Sequence, residues 1–138
     1  MADVRICPET GLPMIRGVRA LMLTYKEQSV TIDMPGWYRE GSDEGIHGGE
    51  DLKVSDRALA TLKARVLSLL GPDEVRAVRE RLGLTQREAG DLIGGGPNAF
   101  QKYESGEILV SKAVSNLLRL LDRHPEQLGE LRREAQPA

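Results

Sequence analysis

The sequence predicts an α+β protein. A small N-terminal β-hairpin or sheet domain with one helix, residues 1–71, precedes a five-helix all-α domain, residues 72–138. Three observations predict it. Gln28 to Met34 alternates, with Val30, Ile32 and Met34 on one face, as a half-buried strand does. From Val54 onward the apolar residues recur at helical spacing. Gly71-Pro72 interrupts that spacing and marks the expected domain boundary.

Residues 1–12 read as irregular, with Pro8 and Gly11 as breakers, and they hold no apolar stretch of a secretory leader. Met14 to Tyr25 is a strand pattern, and Lys26-Glu27 suits a tight hairpin to Gln28–Met34. Pro35-Gly36 is expected to break the second strand. Trp37 and Tyr38 follow, and Trp37 suits a small core better than a contact surface. Arg39 to Asp51 is polar and Gly-rich, hence a loop. It carries Asp43, Glu44, His47, Glu50 and Asp51, but nothing fixes them at ligand spacing. A solvated acidic loop is expected and a metal site is not. Val54 to Leu70 reads as a helix capped by Ser55 or Asp56. Its stripe of Leu59, Leu62, Val66, Leu69 and Leu70 is expected to pack on the sheet, or to offer a ridge to a partner.

Composition narrows the function class. The formal net charge of -2 argues against a generic basic nucleic-acid binder. It leaves room for a dimeric DNA binder whose basic side chains cluster on one face. The single cysteine, Cys7, allows no intramolecular disulfide and suits a reducing cytoplasm. No apolar run approaches the ~20 residues of a membrane helix, so a cytoplasmic protein without membrane partners is expected. With two histidines and neither near Cys7, no nucleophile–base constellation is visible. Neither an enzyme nor a cofactor is expected.

The C-terminal half carries the chemistry. Asp73 to Leu82 is a helix ended by Gly83. Thr85 can cap the next helix, and Glu88, three residues on, can reach back to its amide. Gly94, Gly95 and Gly96 end that helix, Pro97 opens another, and Asn98 to Ser105 completes it before Gly106. Ala89 is small where two helices must cross. Phe100 and Tyr103 can bury one face of the second helix, leaving Asn98, Gln101 and Lys102 on the other. Two short helices with a sharp turn make a helix-turn-helix, whose second helix enters the DNA major groove. Asn98 can pair with an adenine edge, and Lys102 can reach guanine acceptors or a phosphate. Gln101 is a third candidate reader. Thr85, Gln86 and Lys112 are candidates for phosphate contacts that set register. The competing reading is an αα-hairpin in a bundle, with Asn98 and Lys102 merely solvated.

Ser111 can cap a helix to Arg123, with Val114, Leu117, Leu118 and Leu121 on one stripe. His124-Pro125 breaks it, with His124 as a C-terminal cap, and Glu126 to Glu134 forms a last helix. Leu117-Leu118 with Leu120-Leu121 exceeds one stripe, which points to a homodimer through this domain. A two-fold dimer sets two reading helices about 34 Å apart over a palindrome.

The run Gly94 to Gly106, GGGPNAFQKYESG, resembles the GGG-x-NAF-x-(R/K)-YE-x-G run of the MqsA (YgiT-type) antitoxins, which carry a helix-turn-helix like that of xenobiotic-response-element regulators. Leu117 to Leu128 resembles that family's closing helices. The resemblance implies an antitoxin. Its C-terminal domain would repress its own operon, and its N-terminal domain would neutralise a cognate toxin, an mRNA interferase. An acidic chain also suits a basic partner. In the family an asparagine and an arginine at the positions of Asn98 and Lys102 make the base contacts, and the lysine here lacks the planar fork. The family also binds zinc through two C-x-x-C pairs. Here the pairs fall on Cys7 and Thr10 and on Arg39 and Ser42, so three ligands are missing and no zinc is expected. A stand-alone helix-turn-helix repressor, for instance of a mobile element, with a sensing N-terminal domain, is the alternative function.

Overall fold

A computed structural model describes residues 3–135. The outermost positions of the two expected domains, 1–2 and 136–138, lie outside the described residues. Four strands come first: β1 (Val4–Ile6), β2 (Pro13–Tyr25), β3 (Gln28–Tyr38) and β4 (Gly45–Ile46). Six α-helices follow: α1 (Gly49–Leu67), α2 (Pro72–Arg81), α3 (Gln86–Ile93), α4 (Ala99–Ser105), α5 (Lys112–Arg123) and α6 (Leu128–Ala135), with a 3-10 turn at Pro125–Gln127. The α+β class and the five helices after Gly71 match the expectation. The chain forms two compact units that divide within α1, between Leu59 and Ala60.

The N-terminal unit is an antiparallel sheet in the order β1-β2-β3-β4. Its centre is the expected hairpin, in register from Ile15↔Tyr38 to Tyr25↔Gln28. Lys26 takes the tight turn at φ 53. Two expectations about strand limits fail. The segment expected to be irregular contains β1, because pairing Val4↔Ile15 through Ile6↔Pro13 supplies order that its own pattern does not. Pro35-Gly36 does not break β3. Pro35 sits where β3 has a ladder on the β2 side alone, since β4 reaches only Trp37 and Tyr38, and such an edge tolerates proline. Gly36 is needed for another reason: a Cβ there would lie 2.6 Å from the His47 ring, whose Nδ1 is hydrogen-bonded to the Pro35 carbonyl at 2.9 Å.

Trp37 does not fill the core. It is half-buried, with the Arg16 guanidinium 5.7 Å from the ring centroid. The buried apolar side chains on this sheet and its first turn are Cys7, Met14 and Met34, while Val4, Ile6, Val18 and Met22 stay exposed. Helix α1 begins at Gly49, ahead of the expected Val54, so Ser55 and Asp56 lie inside it and not at its cap. Asp51 takes that part: its carboxylate accepts the Gly48 amide at 2.9 Å and the Arg16 guanidinium at 2.6 and 2.9 Å. The expected solvated loop therefore ends in a carboxylate only 4% exposed. The helix stops at Leu67, where Ser68 adopts φ 57, short of Gly71-Pro72.

The C-terminal unit is built on one cluster that includes Leu70, Val75, Val78, Ala89, Phe100 and Leu118. Leu69 and Leu70, expected on the sheet, pack in this helical core. Ser115 is fully buried there and accepts the Leu70 amide at 3.0 Å. Ser111 caps α5 through the Val114 amide, and His124 closes it by donating its own amide to the Leu120 carbonyl at 2.8 Å. Among the described residues no helix is long and apolar enough to cross a membrane.

Candidate nucleic-acid interface

Local chemistry sets the start of α3. The Thr85 hydroxyl accepts the Glu88 amide and the Glu88 carboxylate accepts the Thr85 amide, both at 3.1 Å. Hydrogen bonding from the Thr85 amide, and then from its hydroxyl, holds the Glu88 carboxyl below its ordinary pKa. The turn to α4 is made by Gly94, Gly95 and Gly96, at φ 128, 98 and 90, a region that a side chain makes costly. The turn folds back on α3 so closely that the Gly94 and Gly96 amides both reach the Gly90 carbonyl, at 3.1 and 3.3 Å. A Cβ on Gly90 would stand 1.9 Å from the Gly96 oxygen. Gly90 is therefore the contact on which the helix crossing depends, beside the small Ala89, which is fully buried.

Helix α4 buries Ala99, Phe100, Tyr103 and Glu104. Phe100 and Tyr103 meet edge to face, ring centroids 5.3 Å apart. Glu104 is charged and only 7% exposed. It forms a two-point pair with Arg79 of α2, at 2.8 Å on each arm. The third donor of that guanidinium goes to the Leu84 carbonyl at 2.9 Å, just ahead of α3. One side chain thus ties α2, the entry to α3 and the end of α4. The pair raises the Arg79 pKa further.

The opposite face of α4 is open. Asn98, at the N-cap position, makes no side-chain cap bond, and Asn98, Gln101 and Lys102 are all exposed within about one turn. This is the arrangement expected of a reading helix: the apolar side clamped, the amide and ammonium side chains free to meet base edges or phosphates. Of the expected phosphate-contact residues, Thr85 is exposed with its hydroxyl oxygen engaged in the capping box, and Gln86 is half-buried beside it. Lys112 starts α5, is exposed, and directs its ammonium to the Ser68 carbonyl at 3.4 Å. The same carbonyl accepts Arg119 at 3.0 Å.

Sequence reasoning missed Arg79 and Gly90. Arg79 lies 25 positions from its partner, and no local pattern pairs them. Gly90 sits mid-helix, where a glycine is costly, and that cost was the available signal. The acidic residues of the N-terminal loop do not converge. Glu44 pairs with Arg39, Glu50 with Lys53 and Asp51 with Arg16. Among the described residues no three His, Cys, Asp or Glu side chains gather as a metal site would require.

The profile of the family described as the antitoxin component of bacterial toxin-antitoxin system, MqsA, matches residues 5–132. The chain is also 36% identical over 124 residues to antitoxin MqsA of Escherichia coli (strain K12), covering 86% of this chain and 92% of that protein. The matches run through both units, the sheet as well as the helices, and the function class is that of an antitoxin rather than an enzyme. The chain belongs to the MqsA family of antitoxins.

Proposed function

We propose that the helical unit binds a palindromic operator in its own promoter as a homodimer, and so represses its operon. The N-terminal unit binds and neutralises a cognate toxin, an mRNA interferase, made from the same operon. The observation that carries the DNA half is the division of α4 into a face locked by Phe100, Tyr103 and the Arg79–Glu104 pair and an open face of Asn98, Gln101 and Lys102. A rigid helix with exposed amide and ammonium side chains can hold base contacts in register. Asn98 reads an adenine edge, Lys102 reaches a guanine or a phosphate, and Gln101 lies between them. Thr85, Gln86 and Lys112 contact phosphates.

Dimerisation is supported by a groove of about 460 Å³ at α5 and α6, where Leu117, Leu120, Leu121 and Leu131 form the apolar part of a lining that also includes His124, Gln127 and Glu130. Leu120 within it is 57% exposed. A second copy related by a two-fold axis would cover this surface and present two α4 helices to successive turns of the duplex. The toxin half is supported by the family relation and by the exposed Val18 and Met22, which share one face of the sheet and are apolar side chains of the kind that partners cover.

A gel-shift series on the DNA upstream of the gene, with wild type and Asn98→Ala, tests the first half. Equal operator binding by the two proteins removes Asn98 from the interface. Coexpression with the adjacent gene, followed by purification and a growth assay, tests the second. A neighbouring product that neither copurifies nor arrests growth when expressed alone removes the toxin from the reading.

A further inference from the structure

The family relation implies zinc in the N-terminal unit, and the residues present do not fit one. The four ligand positions hold Cys7, Thr10, Arg39 and Ser42. A thiolate is a ready zinc ligand, whereas hydroxyls are poor ones and a guanidinium at neutral pH is none. Glu44, an acidic side chain beside the second turn, is held by Arg39 at 3.0 Å.

Each turn is closed by protein groups. In the first, the Gly11 amide donates to the Cys7 carbonyl and the Cys7 amide to the Leu12 carbonyl, both at 2.8 Å. The Thr10 hydroxyl accepts the Leu12 amide at 3.3 Å. The same hydroxyl, with the Thr10 and Glu9 amides, hydrogen-bonds the thiol and draws its pKa down. In the second turn the tie comes from β2. Arg19 Nη2 donates to the Arg39 carbonyl at 2.7 Å, and Arg19 Nη1 donates to the Ser42 carbonyl. The guanidinium is backed by the Tyr38 ring, 4.7 Å from its centroid. The two carbonyls it joins belong to the two residues that stand where the second cysteine pair would be.

We propose that Arg19 replaces the metal as the cross-link of the Arg39–Ser42 turn, and that the N-terminal unit orders this turn without zinc. Zinc holds such a turn by drawing two side chains to one point. A planar guanidinium can do so by joining two backbone carbonyls in one fork, independent of the side chains there. Arg39 and Ser42 are then free to be non-ligands. The inference does not depend on DNA binding by the helical unit.

The test uses the full chain purified without added metal, with elemental analysis and hydrogen exchange in the presence and absence of a strong zinc chelator. The expected zinc content is far below one atom per chain. Exchange of the Arg39, Ser42 and Glu44 amides is unchanged by the chelator. Arg19→Met speeds their exchange about tenfold or more, while the amides of the β2–β3 ladder keep their protection. Arg19→Lys, which keeps the charge but not the fork, lies between. Cys7→Ser leaves the Arg39–Ser42 turn as in wild type. One zinc per chain, chelator-accelerated exchange, loosening of this turn by Cys7→Ser, or wild-type exchange in Arg19→Met would each overturn the proposal. If Arg19→Met unfolds the whole unit, Arg19→Lys decides: loosening confined to the turn supports the tie, and wild-type protection overturns it.

Discussion

Arg79 and Glu104 meet through two hydrogen bonds of 2.8 Å, with side chains only 13% and 6% exposed. A charged pair this deep stabilises little against an apolar alternative, but removing one partner strands the other charge away from water. The pair therefore acts chiefly as a geometric constraint on α4.

Glu104→Gln removes the charge and keeps the shape. The variant is expected to lose about 3 kcal/mol of stability. Urea unfolding reads this as a lower midpoint at unchanged slope. A midpoint equal to that of wild type would mean that something other than this pair positions α4.

Base contacts and phosphate contacts separate by their sequence dependence. Asn98→Ala is expected to weaken operator binding by about 1–3 kcal/mol and to leave binding to unrelated DNA unchanged. Lys112→Ala is expected to weaken both alike and to lower the salt slope by about 0.9. The 3.4 Å contact to the Ser68 carbonyl is long enough for Lys112 to exchange it for a phosphate at small cost. Competition gel shifts at several salt concentrations measure both effects.

Gly90→Ala puts a methyl group where the Gly96 carbonyl lies, although alanine is the better helix former. The backbone of the turn cannot yield as a flexible side chain would. A loss of about 1–3 kcal/mol is expected, with weakened operator binding, from thermal melts and gel shifts. A gain in melting temperature would show that the turn is not packed on α3 as described.

The legible parts of this protein are those whose cause is local. The Thr85–Glu88 capping box, the glycine run and the Ser111 cap were readable because each is decided within about four residues. The apolar face of α4 was readable for the same reason, and so its open face could be named. Causes that act across the chain were not readable. Arg79 finds Glu104 and Arg19 finds the Arg39–Ser42 turn only after folding. β1 exists only because β2 is beside it. Pro35 escapes its usual effect because one side of β3 is unoccupied there, which depends on how far β4 extends.

Asp51 makes the acid response of the sheet unit specific. Hydrogen bonds from Arg16, then from the Gly48 amide, hold its pKa at about 2, below the ordinary 3.8. A carboxyl lowered by folding contributes stability above its unfolded pKa, and that contribution disappears as pH falls through the folded value. It is therefore complete above about pH 4 and gone below about pH 2. Asp51→Asn is expected to be less stable than wild type at neutral pH and to converge with it near pH 2. Parallel melting curves over the whole range would dismiss the Arg16 pair as the cause.

Charge placed on the exposed sheet should separate binding from folding. Val18→Glu and Met22→Lys replace side chains that are 62% and 66% exposed, so the melting temperature is expected to stay within a few degrees of wild type. Toxin retained in a pull-down is expected to fall at least about tenfold if this surface forms part of the contact. Full retention by both variants would place the contact elsewhere.

A partner that covers the exposed Val18 and Met22 would couple the folded population of the sheet to its own supply. A protein that binds only the folded form adds to its stability by mass action, by about 2.7 kcal/mol at one hundred times its dissociation constant. For a small sheet with few buried side chains, that is a large share of what a domain ordinarily has. Its lifetime against proteolysis would then follow the ratio of the two proteins. Opening of the sheet would become rarer by about a factor of 100 when the partner is in such excess, and frequent again when it is scarce.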